Sequence, residues 1–98
     1  MLHELRTYTL TPGGLREYLR IYNEMGREVQ TRLLGKLVVL LTPESDDLNQ
    51  LVFLWAFENY EERVRRRAQL MADPVFTEFR KAVRPLMVRQ ESRLLNAA

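Results

Sequence analysis

Cysteine is absent from the 98 residues of this chain, and histidine occurs once, at His3. Without cysteine the protein can have no disulfide scaffold, no thiol nucleophile and no thiolate zinc site. A lone histidine cannot form a metal site, because such sites need several converging ligands. His3 is also the one imidazole that could bind a haem iron, which makes haem a weak alternative. We therefore expect no metal and no cofactor.

Long apolar runs and a strong charge of either sign are also missing. No run approaches the roughly 20 apolar residues that span a bilayer, and Met1-Leu2-His3-Glu4 is too polar to begin a secretory signal. These features predict no membrane span and a cytoplasmic location. The net charge of +2 is too small to indicate nucleic-acid binding. No phosphate-binding loop or nucleophile–base pair is present, which argues against hydrolysis and phosphoryl transfer.

The stretch from Asn49 to Phe57 is the clearest strand in the chain. Branched and aromatic residues dominate it, and side chains alternate between the two faces of a strand. The larger side chains lie on one face and the smaller ones on the other: Leu51, Phe53, Trp55 and Phe57 against Val52, Leu54 and Ala56. Because both faces are apolar, both must be covered in the folded protein.

The remaining periodicity predicts two helical regions and three more strands, all within one domain spanning residues 1–98. Asn59 is the predicted cap at the start of the second helical region, and Asp73, followed by Pro74, is the predicted cap that divides this region in two. The predicted strands are Leu2–Leu10, Lys36–Thr42 and Leu86–Leu95. The first helix, from Leu15 to Leu33, is expected to bury Leu15, Tyr18, Leu19, Tyr22, Met25, Val29 and Leu33. The order β-α-β-β-α-β indicates an α+β, ferredoxin-like fold with a four-stranded antiparallel sheet.

Helices in this fold cover one face of the sheet, which leaves the other face open. We expect the helices to lie over Leu5, Val52, Leu54 and Val88, so that Phe53 and the other large side chains of its strand form an exposed patch. A patch of several hundred Å² is unusual on a soluble monomer. The simplest way to cover it is a homodimer that pairs two sheets face to face as a dimeric α+β barrel.

Such a dimer would enclose a small-molecule pocket with ionisable and aromatic walls. Arginine would bind an anionic or enolate oxygen, tyrosine and asparagine would orient the ligand, and tryptophan would stack on it. The alternative is that Arg6 and Arg89 only form ion pairs with Glu4 and Glu91 across the sheet and bind no ligand. The predicted ligand-binding residues are Glu4, Arg6, Tyr8, Asn49, Phe53, Trp55, Arg89 and Glu91.

A dense basic run comprises Arg63, Arg65, Arg66 and Arg67. We expect it to form the solvated face of a helix whose buried stripe is Tyr60, Val64, Ala68 and Met71. An anionic partner surface is the alternative. Tyr8, Phe53 and Trp55 also form a possible stacking platform for RNA bases, but the Asn49 to Phe57 strand lacks the glycine and positive charge of RNA-binding strands. We therefore expect no nucleic-acid partner.

Several blocks of the sequence resemble the NIPSNAP family in order and spacing. They are Glu4-Leu5-Arg6-Thr7-Tyr8-Thr9-Leu10, Pro12-Gly13, Leu34-Gly35-Lys36-Leu37, Asn49-Gln50, Leu54-Trp55-Ala56, Asp73-Pro74, Arg84-Pro85-Leu86 and Gln90-Glu91. The resemblance spans essentially the whole chain and implies the dimeric α+β barrel superfamily. It implies no particular reaction, because that superfamily includes cofactor-free monooxygenases, isomerases and pure ligand-binding domains. The family pattern often has a histidine at the position of Phe53, so an acid–base role there is absent.

Two functions follow as hypotheses. The preferred one is a homodimer that binds a small aromatic or carboxylated molecule, either as a binding protein or as a cofactor-free oxygenase or isomerase. The alternative is a non-catalytic interaction or scaffold domain that uses the basic run at Arg63 and Arg67.

Overall fold

The computed structural model describes residues 1–98. The elements in chain order are β1 (Leu2–Leu10), α1 (Gly14–Ile21), a π-helical turn (Tyr22–Gly26), α2 (Arg27–Leu34), β2 (Lys36–Leu41), β3 (Gln50–Phe57), α3 (Tyr60–Ala72), α4 (Pro74–Val83), a 3₁₀ turn (Arg84–Leu86) and β4 (Met87–Asn96). The strands form one antiparallel sheet in the order β2-β3-β1-β4. The predicted ferredoxin-like α+β fold is confirmed. No helix is both long enough and apolar enough to cross a membrane.

The two helical caps form as the sequence predicts. Asn59 Oδ1 accepts a hydrogen bond of 2.8 Å from the Glu62 amide. Asp73 Oδ1 accepts one of 3.0 Å from the Phe76 amide, and Pro74 opens α4. Each cap satisfies a backbone N–H that has no partner within its helix. The second helical region is therefore divided at Asp73.

The prediction of which sheet face the helices cover was wrong. Phe53 and Trp55 are completely buried, on the face that packs under the helices, and they form the centre of the core. The physical reason is size: the aromatic rings of β3 fill the space beneath Tyr22, whose ring meets the Phe53 ring edge-on at 5.5 Å. Phe53 and Trp55 thus belong to the core of one copy, not to a seam between two.

The open face of the sheet carries the smaller aliphatic residues. Leu5, Val52 and Leu54 are partly buried by their neighbours in the sheet, whereas Val39 and Leu41 on the edge strand are exposed. The registers Leu5 opposite Leu54 and Val52 opposite Leu41 place these residues on a single surface. We call Leu5, Val39, Leu41, Val52 and Leu54 the open-face patch.

The buried stripe predicted for α3 was also wrong. Tyr60, Val64, Ala68 and Met71 are exposed, and the inward side of the helix carries Arg63, Arg67 and Leu70 instead. These three share the i, i+4, i+7 spacing of a helix face. Arg63 turns inward because the sheet beneath the helix presents a buried carboxylate, that of Glu4.

The first helical region contains a π turn that shifts its buried side. Met25 is exposed, while Gly26 is buried in its place. A β-carbon at Gly26 would lie 2.8 Å from ring carbons of Phe79 in α4, so only glycine allows this close approach. The π turn holds one extra residue, and each added residue rotates the following helix by about 100°. Gln30 of α2 therefore faces the interior.

Candidate functional site

The polar centre of the protein is the carboxylate of Glu4, which is completely buried in the middle of the sheet. Arg63 of α3 donates two hydrogen bonds to it, of 3.0 Å and 2.9 Å. Arg6 Nη1 and Ser92 Oγ donate two more, of 2.9 Å and 2.5 Å. Burial alone would raise the pKa of Glu4, but these donors outweigh it and hold the pKa at about 2. Glu4 is therefore ionised at neutral pH and joins the sheet to α3.

Glu4 in turn holds Arg6 in a fixed position. Arg6 Nη2 donates to Gln90 Oε1 at 3.1 Å, and Arg6 Nε donates to the Tyr8 hydroxyl oxygen at 3.2 Å. The hydroxyl of Tyr8 accepts this bond, so its own proton remains available to another acceptor. The Tyr8 ring packs against the Phe53 ring with centroids 5.3 Å apart. Two successive inward side chains of β1 thus form a rigid polar wall.

A cavity of about 270 Å³ lies beside this wall, between the helix-covered face of the sheet and the helices. Its polar lining comes from both layers: Arg6, Tyr8, Gln30, Arg67, Arg80, Arg84 and Gln90. Its apolar lining comes mainly from α3 and α4: Leu70, Met71, Phe76, Phe79, Val83 and Met87. No carboxylate lines it. The lining therefore combines four arginines with apolar side chains, a combination that suits an amphiphilic anion.

Arg67 is the partly buried cation of this cavity that has no ion-pair partner. It lies one helical turn after Arg63 on α3, is only partly exposed, and forms no ion pair or hydrogen bond within the protein. Burial lowers the pKa of Arg67, and the nearby charge of Arg6 lowers it further. The charged guanidinium is thus poorly compensated where it stands. Arg80 and Arg84 are exposed and line the same cavity.

The aromatic part of the cavity lining is built by residues of α1 and α4. The Tyr18 ring meets the Phe79 ring edge-on, with centroids 5.8 Å apart. Burial raises the pKa values of Tyr18 and Tyr22, so both phenols stay protonated. The Tyr22 hydroxyl donates a hydrogen bond of 2.5 Å to Gln30 Oε1. This wall offers ring surfaces and one amide to a ligand.

The residues predicted to bind a ligand do not all come together. Glu4, Arg6, Tyr8, Phe53 and Trp55 share the helix-covered face of the sheet, but only Arg6 and Tyr8 line the cavity. Glu4 does not line the cavity itself, but it binds Arg6, which does. Phe53 and Trp55 stack on each other with centroids 6.1 Å apart and lie fully in the core.

The other predicted residues lie elsewhere. Asn49 shapes the turn before β3: its Oδ1 accepts a hydrogen bond of 3.2 Å from the Gly13 amide. Arg89 and Glu91 pair with Thr9 and Thr7 in the sheet register, which places them on the open face. They form an exposed ion pair of 3.2 Å with each other. The expected ion pair between Arg89 and Glu91 is therefore present, but it lies within one strand and not across the sheet.

Sequence reasoning missed the residues that α2 and α3 contribute, above all Gln30 and Arg67. One signal for Arg67 was present, because Arg63, Arg67 and Leu70 follow the spacing of a buried helix face. With Arg63 on Glu4 and Arg67 on the cavity wall, the basic run is not a uniformly solvated surface. Arg63 and Arg67, the two arginines named for the scaffold alternative, therefore face the interior, whereas Arg65 is exposed. Histidine and carboxylate side chains form no cluster that could hold a metal ion.

Comparison with known proteins identifies relatives along the whole chain. A family model described as NIPSNAP matches residues 3–98. Protein Atu4242 from Agrobacterium tumefaciens is 37% identical, with a TM-score of 0.96 over 100% of this chain and 94% of that chain. A NIPSNAP domain protein from Burkholderia xenovorans is 38% identical, with a TM-score of 0.95 over 100% of this chain and 95% of that chain.

More distant structures share the fold alone. A protein from Nitrosomonas europaea named as an antibiotic biosynthesis monooxygenase is 12% identical, with a TM-score of 0.73 over 99% of this chain and 98% of that chain. At that level of identity the similarity extends to architecture and not to activity. No curated protein matches the sequence.

Proposed function

The chain belongs to the NIPSNAP family, and we propose that it binds a small anionic molecule with an aromatic or otherwise apolar body in the cavity between the sheet and the helices. The observation that carries this proposal is Arg67, whose guanidinium lines the cavity without a carboxylate partner. A ligand carboxylate would supply the missing charge.

The contrast between Arg63 and Arg67 supports a ligand role for the second of them. Both point inward from α3, one turn apart, but Glu4 is already engaged by Arg63 and Arg6. A charged group withdrawn from water without a partner is costly, so proteins rarely retain one for stability alone. The planar guanidinium of Arg67 is suited to bind a carboxylate through two parallel hydrogen bonds.

The remaining walls suit the apolar part of such a ligand. Phe76, Phe79 and Tyr18 offer ring surfaces, and the cavity volume of about 270 Å³ limits the ligand to a small molecule. Ligand pockets generally combine an apolar lining with a few polar groups that fix orientation. An aromatic carboxylate satisfies both the charge and the size of this site.

Turnover without a cofactor, of the oxygenase or isomerase type, is a second candidate that the contact between Tyr8 and Arg6 favours. The Tyr8 hydroxyl accepts from Arg6 and can donate its own proton to a ligand oxygen. An enolate oxygen forming beside that donor and the charge of Arg67 would be stabilised in place. The monooxygenase name of the Nitrosomonas europaea protein adds support only at the level of the fold.

A homodimer that pairs two open-face patches is the proposed assembly. Four strands about 4.8 Å apart and about 26 Å long give a face of roughly 500 Å² before side-chain relief is added. Stable interfaces bury about 800 Å² per partner, so the dimer would have to use the whole face with its side chains and not the open-face patch alone. A second copy is the natural occupant, because a two-fold axis brings the same aliphatic surface onto itself. The helix side and its cavity would remain accessible in this dimer.

The proposed ligand class can be tested by titration calorimetry with benzoate and phenylacetate. We expect both acids to bind the wild-type protein and Arg67→Gln to bind them at least about tenfold more weakly, since a charge-assisted hydrogen bond is lost. Arg65→Gln is the matched control, because Arg65 is exposed on the same helix and does not line the cavity. Unchanged affinity in Arg67→Gln, or no binding of either acid by the wild type, would contradict the proposal.

Native mass spectrometry of protein taken directly from cells provides the complementary measurement. A discrete extra mass that is retained by the wild-type protein and by Arg65→Gln, but absent from Arg67→Gln, would supply the chemical identity of the natural ligand. An extra mass that persists in Arg67→Gln would place that molecule elsewhere and contradict the role of Arg67.

A further inference from the structure

Gln30 is a buried amide with only one of its two ends satisfied. It lies in α2, is 5% exposed, and lines the cavity. Its Oε1 accepts the hydrogen bond from the Tyr22 hydroxyl, while no group of the protein accepts a hydrogen bond from its amide nitrogen. Glu4, the other buried polar side chain, is satisfied by four donors. The free amide nitrogen is therefore the end of Gln30 that is open to a molecule in the cavity.

The backbone places Gln30 at the cavity by means of the π turn. The extra residue between Tyr22 and Gly26 rotates α2 relative to α1, so Gln30 takes the angular position of the seventh residue after Tyr22 in a regular helix. This brings the amide into line with the Tyr22 hydroxyl. π turns of this kind often occur at functional sites, and here one directs a polar side chain into the cavity.

We propose that the amide nitrogen of Gln30 donates a hydrogen bond to a second, uncharged oxygen of the ligand. The ligand class is thereby narrowed to small carboxylates that carry an ether, carbonyl or hydroxyl oxygen away from the carboxylate. This inference rests on the proposed function, because it takes Arg67 as the site of the charged end.

Tyr22 is the positioning residue in this arrangement. Its hydroxyl donates to Gln30 Oε1, which forces the amide nitrogen to face away from Tyr22 and towards the cavity. Burial keeps the Tyr22 phenol protonated, so the direction of the hydrogen bond does not change near neutral pH. Without that hydroxyl, the amide could turn and present its oxygen to the ligand. Loss of the hydroxyl should therefore change selectivity more than affinity.

Gln90 also lines the cavity and must be distinguished from Gln30. Its Oε1 accepts from Arg6, but the residue is exposed, so water can satisfy its amide nitrogen. A donor that stays hydrated gains little from a ligand oxygen, whereas a ligand that fills the cavity without accepting a hydrogen bond from Gln30 would leave its amide nitrogen unpaired, which costs affinity. The inference is specific to Gln30 for this reason.

Three methoxybenzoates and the three corresponding ethylbenzoates test the inference by titration calorimetry. Each pair is nearly equal in size and differs in one oxygen that can only accept a hydrogen bond. We expect at least one methoxybenzoate to bind the wild type roughly three- to tenfold more tightly than its ethyl counterpart. In Gln30→Met this preference should vanish while the ethylbenzoate affinity stays within about twofold.

Matched variants separate the possible causes. Tyr22→Phe should reduce the preference, whereas Gln69→Met, a control on the exposed side of α3, should retain it. If Gln30→Met does not fold, Gln30→Glu serves in its place, since it still accepts from Tyr22 but lacks the amide donor.

Each remaining outcome is decisive. Binding of all six acids by the wild type without any preference would overturn the inference and leave the proposed function intact. A preference that persists in Gln30→Met, or that is lost only in Gln90→Met, would likewise overturn it. Binding of no acid at all would overturn both.

Discussion

Glu4 and Arg63 lie 59 positions apart in the chain, yet Arg63 donates a hydrogen bond to each carboxylate oxygen of Glu4. Arg63 Nε lies 3.0 Å from Oε1, and Arg63 Nη2 lies 2.9 Å from Oε2. The contact joins the centre of the sheet to α3, and it faces the core rather than solvent. It also distinguishes two arginines on one helix, because Arg63 is engaged by Glu4 whereas Arg67, one turn later, lines the cavity without an ion-pair partner. The same carboxylate also binds Arg6, so the position of Arg6 in the cavity lining depends on this buried pair.

Glu4→Gln is expected to destabilise the fold by about 3 kcal/mol, because two buried guanidiniums would lose their counter-charge. Denaturation in urea at pH 7 measures the effect. Glu61→Gln, on the exposed side of α3, is the control and should change stability by less than about 0.5 kcal/mol. A loss below about 1 kcal/mol in Glu4→Gln would mean that the cluster contributes little to stability.

The contribution of Glu4 should depend on pH in the acid range. Its pKa falls from an ordinary value of 4.5 to about 2 in the folded protein. A group whose pKa is lowered by folding stabilises the protein above its unfolded value and ceases to do so as pH falls through the folded value. The stability difference between wild type and Glu4→Gln should therefore be constant from pH 7 to about 5 and narrow below about 4.5.

Urea midpoints measured at several pH values for both proteins test this prediction. Comparing the two proteins cancels the titration of the exposed carboxylates, which both of them share. A difference that stays constant down to pH 3 would show that Glu4 has the same pKa in the folded and unfolded states.

Gly26→Ala should destabilise the protein by about 1–3 kcal/mol, because the new methyl group would lie 2.8 Å from the Phe79 ring. Helix propensity alone predicts the opposite sign, since alanine is favoured over glycine by up to about 1 kcal/mol. Thermal unfolding distinguishes the two. Phe79→Leu should partly relieve the clash, so the two substitutions should be non-additive. A Gly26→Ala protein that is more stable than the wild type would mean that α4 moves aside for the methyl group without loss of stability.

Much of the fold was predictable from local patterns. Alternation identified the strands, and Asn59 and Asp73 marked the helix starts, because caps and periodicity are properties of neighbouring residues. The covered face of β3 was not predictable in this way. Both of its faces are apolar, and the choice depends on how the Phe53 ring, with Trp55 stacked on it, packs against the Tyr22 ring of another element.

The site was predictable only where β1 alone determines it. Alternation places Arg6 and Tyr8 on one face with Glu4, and both of them line the cavity. The positions of Arg67 and Gln30 depend on features that local alternation does not reveal. Arg63 of α3 turns inward to bind Glu4, and a π turn rotates α2. A run of arginines is usually solvated, and only the buried carboxylate opposite reverses that expectation.

The assembly is tested by two substitutions on neighbouring positions of β3. Leu54→Asp places a charge in the open-face patch, and it should convert a dimer into a folded monomer, because an unpaired carboxylate would be buried on association. Phe53→Asp places the same charge in the core of one copy, where it should prevent folding altogether. Sedimentation measurements together with circular dichroism distinguish these results. A wild-type monomer would contradict the dimer itself, and an undiminished Leu54→Asp dimer would place the interface on another surface. If Phe53→Asp gave a folded monomer instead, the aromatic face would be the interface, and the assignment of the two faces would be reversed.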